Sequence, residues 1–383
     1  MRILVLDYGL CNFHNLISLA KDDHDVFVNS TEPYDKLPVE YFTENGVLFI
    51  PNINRESVLR KWIEHNKIEL IISTSPSYKT APRLSKSAEY IGLSEKSCRL
   101  EYNKLFVRTE VEKLGIKVPQ LMASPTPPCV AKPNILSPTH DHVDICLTQE
   151  DIDSLDISPK GVFYEEYIQD SIETNVAYVM SKGKWSIMHT QQIIGEDLAK
   201  RAGGFTHWTK TSSFKNLSDE DEKIVLEQAK IYLDWASEYC SESSYVGQLT
   251  GLLKDGVWYF CENNVRPEQT NSLPYFISGD EWLEGMRGKP EIIGDAFPKD
   301  VHKMIVMPNH KDSVYPFHLH KRHNVAIPCG LDIIDNQYRV SNMMRGRSKD
   351  GLIGIVICDR VIPQEFIDDI RHDGNFHIKC ILK

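Results

Sequence analysis

Short apolar runs separated by segments of helical period open the chain. "RILVLD" (2–7), "DVFV" (25–28), "GVLFI" (46–50) and "IELIIST" (68–74) each run into polar or turn residues, as buried strands do. Between them, "CNFHNLISLAK" and "RESVLRKWIEHN" repeat their apolar positions at helical spacing. Strands alternating with helices predict an open, parallel α/β domain over residues 1–100. Ligands of such sheets sit at the carboxyl ends of the strands, which directs attention to Asp7–Asn15 and Ser73–Thr80.

The pattern then changes. "SEKSCRLEYNKLFVRTEVEKLGIKVPQ" predicts one helix closed by Gly115 and Pro119, and "SPTPP" (124–128) reads as a linker. "CVAK", "GVFYEEYI", "TNVAYVMSKGKWSIMH" and "VGQLTGLLKDGVWYFCEN" read as strands, several joined by Gly-bearing turns, with "FYEEYI" (163–168) as an edge strand. "SDEDEKIVLEQAKIYLDWASEYC" predicts a long amphipathic helix, capped by Ser218 and acidic in its first turn. From about residue 300, apolar segments alternate with turns and end in a helix, "PQEFIDDIR". The fold class is α/β in front and α+β behind. Residues 1–100, 101–300 and 301–383 are the expected units.

Composition narrows the function. A chain of 383 residues is long for a single hydrophobic core, and 41% apolar with 25% charged residues is ordinary for a soluble globular protein. The net charge of −11 comes without a Lys/Arg block, so no nucleic-acid partner is expected. A locally basic pocket for small anions is compatible with that acidic surface. Nine scattered cysteines without a C-x-x-C pair read as reduced cytosolic thiols. No apolar run nears the ~18 residues of a membrane span, and "MRILVLDYGL" does not read as a signal peptide. The expectation is a cytoplasmic protein without a membrane partner.

Chemistry concentrates in "FCENNVRPE". Glu262, Asn264 and Arg266 fall at alternate positions and share one face of a strand. A carboxylate and an amide oxygen are hard ligands suited to Mg²⁺ or Mn²⁺, and a guanidinium two residues on can hold a phosphate oxygen. The bland alternative is a polar strand end with Glu262 and Arg266 paired in solvent. Lys132 ends the strand "CVAK", Lys104 lies on the preceding helix, and Glu173 follows "EEYI". His318 and His320 in "FHLHKRH" read as a solvated edge, since no carboxylate partner is near in sequence. "LDYGLCNFHNL" is similar to the first strand of a glutamine amidotransferase, but no G-x-C-x-G elbow follows, and no P-loop or dinucleotide fingerprint occurs.

The order Lys104, Lys132, "EEYI", Glu173, "ENNVR" resembles the ATP-grasp superfamily, and within it the glycinamide ribonucleotide synthetase (phosphoribosylamine–glycine ligase) family. "GLSEKSCRLEYNKLFVRTEVEKLGIKVP", "PCVAK", "EEYIQDSIETN" and "ENNVR" carry the resemblance, over roughly residues 90–290. It implies an ATP-grasp core between an open parallel α/β domain and a small carboxyl-terminal domain. It also implies an ADP-forming C–N ligase, in which ATP phosphorylates a carboxylate and an amine attacks the acyl phosphate. In that family glycine and phosphoribosylamine give glycinamide ribonucleotide for purine biosynthesis.

By the same resemblance Glu262 and Asn264 would hold the metal, and Arg266 would be catalytic, meeting the transferring phosphoryl group. Lys104 and Lys132 would bind ATP phosphates, Glu165, Glu166, Tyr167 and Ile168 would meet adenine, and Glu173 the ribose. Gly9, Ser75, Ser77, Lys200, Arg201, Gly203 and Gly204 are the candidate substrate residues. The implied partners are small molecules, an amino acid and a phosphorylated sugar amine, acting on a monomer or weak homodimer. The chain departs from the family in a loop after Lys132 without glycine, "PNILSPTHDHV", and in a reduced substrate loop, "KRAGGFTHW". Another amine or amino acid, or ATP binding without turnover, is the alternative reading.

Overall fold

Parallel pairing organises the first ninety residues. The computed structural model describes residues 1–7, 13–30, 39–73, 81–84, 88–134, 144–155, 161–195, 208–211, 217–266, 277–296, 302–308, 338–345, 352–358, 364–372 and 376–381. β1 (Arg2–Asp7), α1 (Phe13–Lys21), β2 (Asp25–Ser30), α2 (Val39–Glu44), β3 (Val47–Phe49), α3 (Glu56–His65), β4 (Leu70–Ser73), α4 (Ala81–Leu84) and β5 (Glu89–Gly92) alternate. Their strands pair in parallel in the order β3-β2-β1-β4-β5. Leu4, Leu6 and Ile71 pack with Leu59 and Ile63 of α3 in one cluster. The order reverses between β1 and β4, so Asp7 and Ser73 end the two strands at the switch point.

The expected single helix is two. α5 (Glu95–Tyr102) and α6 (Lys104–Lys113) meet at Asn103, whose φ of −125° and ψ of 79° are not helical. The Asn103 side chain accepts a hydrogen bond from Phe106 N at 2.9 Å, capping α6. A short polar side chain that bonds the backbone this way competes with helix continuation, which is why the chain breaks there. A second amide, Leu105 N, donates to Asn134 Oδ1 at 3.0 Å.

β6 (Leu121–Met122), β7 (Cys129–Pro133), β8 (Asp144–Cys146), α7 (Gln149–Asp153) and β9 (Val162–Glu166) follow. The strands form a small antiparallel sheet in the order β6-β9-β7-β8. β9 is therefore interior rather than an edge: β7 pairs with its whole length, and β6 covers Tyr164 and Glu165 from the other side.

β10 (Ile172–Ser181), β11 (Lys184–Gly195), β12 (Trp208–Thr211), α8 (Asp219–Tyr239), β13 (Ser244–Lys254) and β14 (Val257–Asn264) build the central antiparallel sheet, in the order β12-β11-β10-β13-β14. Two-residue turns at Lys182–Gly183 and Asp255–Gly256, all four residues at positive φ, close the hairpins β10–β11 and β13–β14. α8 begins at Ser218, which accepts from Asp221 N, and lays Val225, Ala229, Tyr232, Leu233 and Ala236 into the core shared with Val176, Tyr178 and Phe260. α9 (Gly279–Met286) and α10 (Pro290–Asp295) pack on α1 and β11. β15 (His302–Pro308), β16 (Tyr338–Arg345), β17 (Leu352–Cys358), α11 (Gln364–His372) and β18 (Phe376–Ile381) end the chain, so its last element is a strand and not the expected helix. Among the described residues no helix is long and apolar enough to cross a membrane.

The hairpin β13–β14 is held by a close approach. Trp258 is 2% exposed, and its indole N–H donates to Thr174 Oγ1 at 2.8 Å. A Cβ added at Gly251 would overlap that ring. Gly251→Ala is expected to cost about 1–3 kcal/mol, as overpacking of a filled core does. Urea unfolding should show a lower midpoint with an unchanged slope.

Candidate active site

β14 has the sequence VWYFCENN. Trp258 and Phe260 are buried, and strict alternation would send Glu262 and Asn264 to the same apolar side. A bulge prevents this. Phe260 pairs with Gly251 and Glu262 with Thr250, so the register skips Cys261. The extra residue re-phases the strand: Cys261 and Glu262 are both partly exposed, Asn263 turns inward, Asn264 outward, Val265 inward and Arg266 outward.

The inward Asn263 is 3% exposed, and its amide is paired at both ends. Tyr178 of β10 donates to its Oδ1 at 2.7 Å, and its Nδ2 donates to the Tyr232 hydroxyl of α8 at 2.7 Å. Burial raises both phenol pKa values above the usual tyrosine range, so both hydroxyls keep their protons.

The outward side chains form a chain of polar contacts. Lys104 Nζ lies 3.4 Å from Glu262 Oε2, and Asn264 Nδ2 donates to Glu262 Oε1 at 3.2 Å. Arg266 Nη1 donates to Asn264 Oδ1 at 3.1 Å and the guanidinium is ion-paired with Glu101. Leu100, Val107 and Phe260 line the cleft beside these groups. On the side of the small sheet, Lys132 is ion-paired with Glu165, and Arg108 Nη1 donates to Glu165 Oε2 at 3.1 Å. Burial pulls the Lys132 pKa down, but Glu165, then Cys261 and Glu262, more than reverse this, so it ends above the usual lysine range and the ammonium persists. Burial pushes the Cys261 thiol up to about 12; Lys132 opposes this, while Glu165, Glu173 and Glu262 add to it. Cys261 is therefore a neutral thiol at the centre of the charged groups, and not a nucleophile.

Six residues singled out in the sequence, Lys104, Lys132, Glu165, Glu262, Asn264 and Arg266, thus meet around the bulge, and the Glu173 charge is near enough to help raise the Cys261 thiol pKa. The two neighbouring glutamates that end β9 separate: Glu165 is buried between two cations, whereas Glu166 is exposed and its Oε2 accepts from Gln120 N at 3.4 Å. Tyr167 is half-buried and Ile168 buried, just past the end of β9. Gly9, Ser75, Ser77, Lys200, Arg201, Gly203, Gly204, His318 and His320 lie outside the described residues, as does most of the loop after Lys132.

Two residues were missed by sequence reasoning. Glu101 and Arg108 stand three before and four after Lys104; on the single helix expected from the sequence that spacing would put all three on one stripe, and it was the available signal, although the break at Asn103 leaves Glu101 on α5.

The Glu262 carboxylate and the Asn264 amide fit a magnesium ion that keeps several waters and bridges to phosphate, but are too few to enclose one alone. The amide presents its nitrogen to Glu262, so joint coordination needs it to turn over about a soft terminal torsion. Among the described residues no group of three or more His, Cys, Asp or Glu is placed to hold a metal.

A central antiparallel sheet carrying these groups, a small sheet beside it and an open parallel sheet in front define the ATP-grasp fold. An L-amino acid ligase from Bacillus licheniformis superposes with a TM-score of 0.64 at 12% identity, covering 98% of each chain. A carboxyaminoimidazole ribonucleotide synthase from Aspergillus clavatus, complexed with ATP, does so at 0.62 and 13% identity, over 97% of this chain and 98% of that one. A phosphoribosylamine–glycine ligase from Thermotoga maritima gives 0.59 at 16% identity, over 100% and 98%. No protein-family model matches the sequence, and no curated protein matches it.

Glu165→Ala would leave Lys132 and Arg108 facing each other without their counter-charge. The expected loss is about 3 kcal/mol of unfolding free energy, as for other broken buried pairs. Glu166→Ala should stay within about 0.5 kcal/mol, as exposed substitutions do. Urea unfolding followed by tryptophan fluorescence compares the two.

Proposed function

We propose that the protein is an ADP-forming carboxylate–amine ligase that works through an acyl phosphate. The observation that carries this is the convergence of Lys104 and Lys132 on the face formed by Glu262, Asn264 and Arg266. Phosphoryl transfer needs positioning and charge neutralisation more than covalent catalysis, and the described residues make a site of fixed charges in which the Cys261 thiol is protonated. Lys104 and Lys132 bind the ATP phosphates, and Arg266 holds the phosphoryl group as it passes to the substrate carboxylate. Glu165, Glu166, Tyr167 and Ile168 form the adenine side, and Glu173 takes the ribose. Glu262 and Asn264 hold Mg²⁺ or Mn²⁺, which when bound offsets charge on the phosphate oxygens. In this reading residues 1–100 supply the substrate domain, 101–300 the nucleotide core with its lid at 120–187, and 301–383 a small closing domain.

The preferred substrates are glycine and phosphoribosylamine, in a cytoplasmic enzyme of purine biosynthesis with only small-molecule partners. The motif order supports this, and so does the likeness to the Thermotoga ligase. A second reading, a ligase for another amine or amino acid, is favoured by two observations. The loop after Lys132 lacks glycine, and the L-amino acid ligase superposes at least as well.

Calorimetry is expected to show ATP or ADP binding with Mg²⁺, weakened in the Glu262→Ala, Asn264→Ala double variant. Full-strength binding in that variant overturns the metal assignment. ADP release should require both a carboxylate and an amine; nucleotide binding without such turnover overturns the ligase reading. Rescue of a purine-requiring bacterium lacking glycinamide ribonucleotide synthetase tests the named substrates. Failure to rescue, together with no glycine-dependent phosphate release from fresh phosphoribosylamine, leaves the second reading.

A further inference from the structure

We infer that Glu101 is a positioning residue, a buried carboxylate that fixes the Arg266 guanidinium toward the transferring phosphoryl group; this rests on the phosphoryl-transfer reading above. Glu101 is 3% exposed, in the last turn of α5, two residues before the break at Asn103. A carboxylate is held that deeply only when paired. Its pairing spans two consecutive residues at the exit of β14. Val265 N donates to Oε2 at 3.1 Å, and the Arg266 guanidinium is ion-paired with Oε1.

These two contacts make different demands. The backbone N–H of Val265 needs only an acceptor, which a glutamine supplies equally well. The guanidinium needs a charge, since a buried cation without one is costly before any phosphate arrives. Arg266 keeps 16% of its side-chain surface exposed, and it also donates to Asn264 Oδ1. Both contacts fall on Nη1, so one prong of the planar fork is held from Glu101 and from Asn264. An arginine ordered in advance loses little rotamer freedom when its ligand binds. Glu101 thus acts through Arg266 and touches no reacting atom.

The test uses the full chain, Mg²⁺, ADP and a non-hydrolysable β,γ-imido analogue of ATP, with calorimetry as the readout. The wild type should prefer the analogue over ADP, because Arg266 meets the third phosphoryl group. Glu101→Gln should reduce that preference about tenfold, the scale of one charge-assisted hydrogen bond, while ADP affinity changes little. Arg266→Lys should reduce it similarly, and the double variant no further than either single one, because the two residues act as a unit. A merely structural Glu101 would lower the unfolding temperature and leave the ratio of the two affinities unchanged, and that result overturns the inference. If Glu101→Gln does not fold, Glu101→Asp, which keeps the charge and shortens the reach, must lower the same ratio. A wild type that binds both nucleotides equally overturns the inference. A wild type that binds neither overturns the nucleotide reading beneath it as well.

Discussion

One buried amide sets the phase of the strand on which the site is built. Asn263 sits between two tyrosine hydroxyls, one from β10 and one from α8, with donor and acceptor both satisfied. An unpaired amide in that position would carry the full cost of its desolvation, about 1–3 kcal/mol. A slip of one residue along β14 would therefore lose both bonds and bury Glu262 or Asn264 against α8 instead. The core in this way decides which side chains reach the cleft. The aromatic packing of Tyr232 on Phe260, with rings stacked at 5.2 Å, holds the same side of the strand in place.

On the cleft side, charge takes over from packing. Glu262 faces Lys104, Glu101 faces Arg266, and Glu165 faces both Lys132 and Arg108. Each cation that the ligase reading assigns to phosphate already has a carboxylate partner, so the chain can fold with these groups largely out of water. On that reading an arriving nucleotide competes with carboxylates rather than filling a vacancy. Glu262, released by Lys104, would then be one of the residues to hold a metal, whose charge would offset that of the phosphates. Binding of the two would be mutually favourable for electrostatic reasons alone.

Much of this was legible in the sequence, for identifiable reasons. The front strands are buried on both faces, so β1, β2 and β4 stand out as continuous apolar runs. β5 does not, because "EYIG" begins with an exposed glutamate and contributes only two buried residues. The helix break at Asn103 was hidden because Leu100, Val107 and Val111 continue an apolar stripe across it. Glu165 and Glu166 are chemically identical neighbours, and only the three-dimensional positions of Lys132 and Arg108 tell them apart. The alternation of Glu262, Asn264 and Arg266 was readable as a shared face. Which face it was could not be read, since the phase of Trp258 and Phe260 points the wrong way and nothing about Cys261 announces a bulge.

That bulge makes this part of the chain sensitive to how its residues pair more than to the identity of the residue it holds. The Cys261 side chain forms no part of the ladder, and its thiol holds its proton, so a residue of similar bulk can stand there without turning the strand over. Removing Cys261 would set Glu262 directly after Phe260 in a regular ladder and leave Glu262 facing the cleft and Asn263 the core, whereas drawing Cys261 into the ladder would send Glu262 to the core and Asn263 to the cleft. Mutation can therefore drift at position 261 while the pairing of Phe260 with Gly251 and of Glu262 with Thr250 stays locked, a phase constraint written in register rather than in sequence.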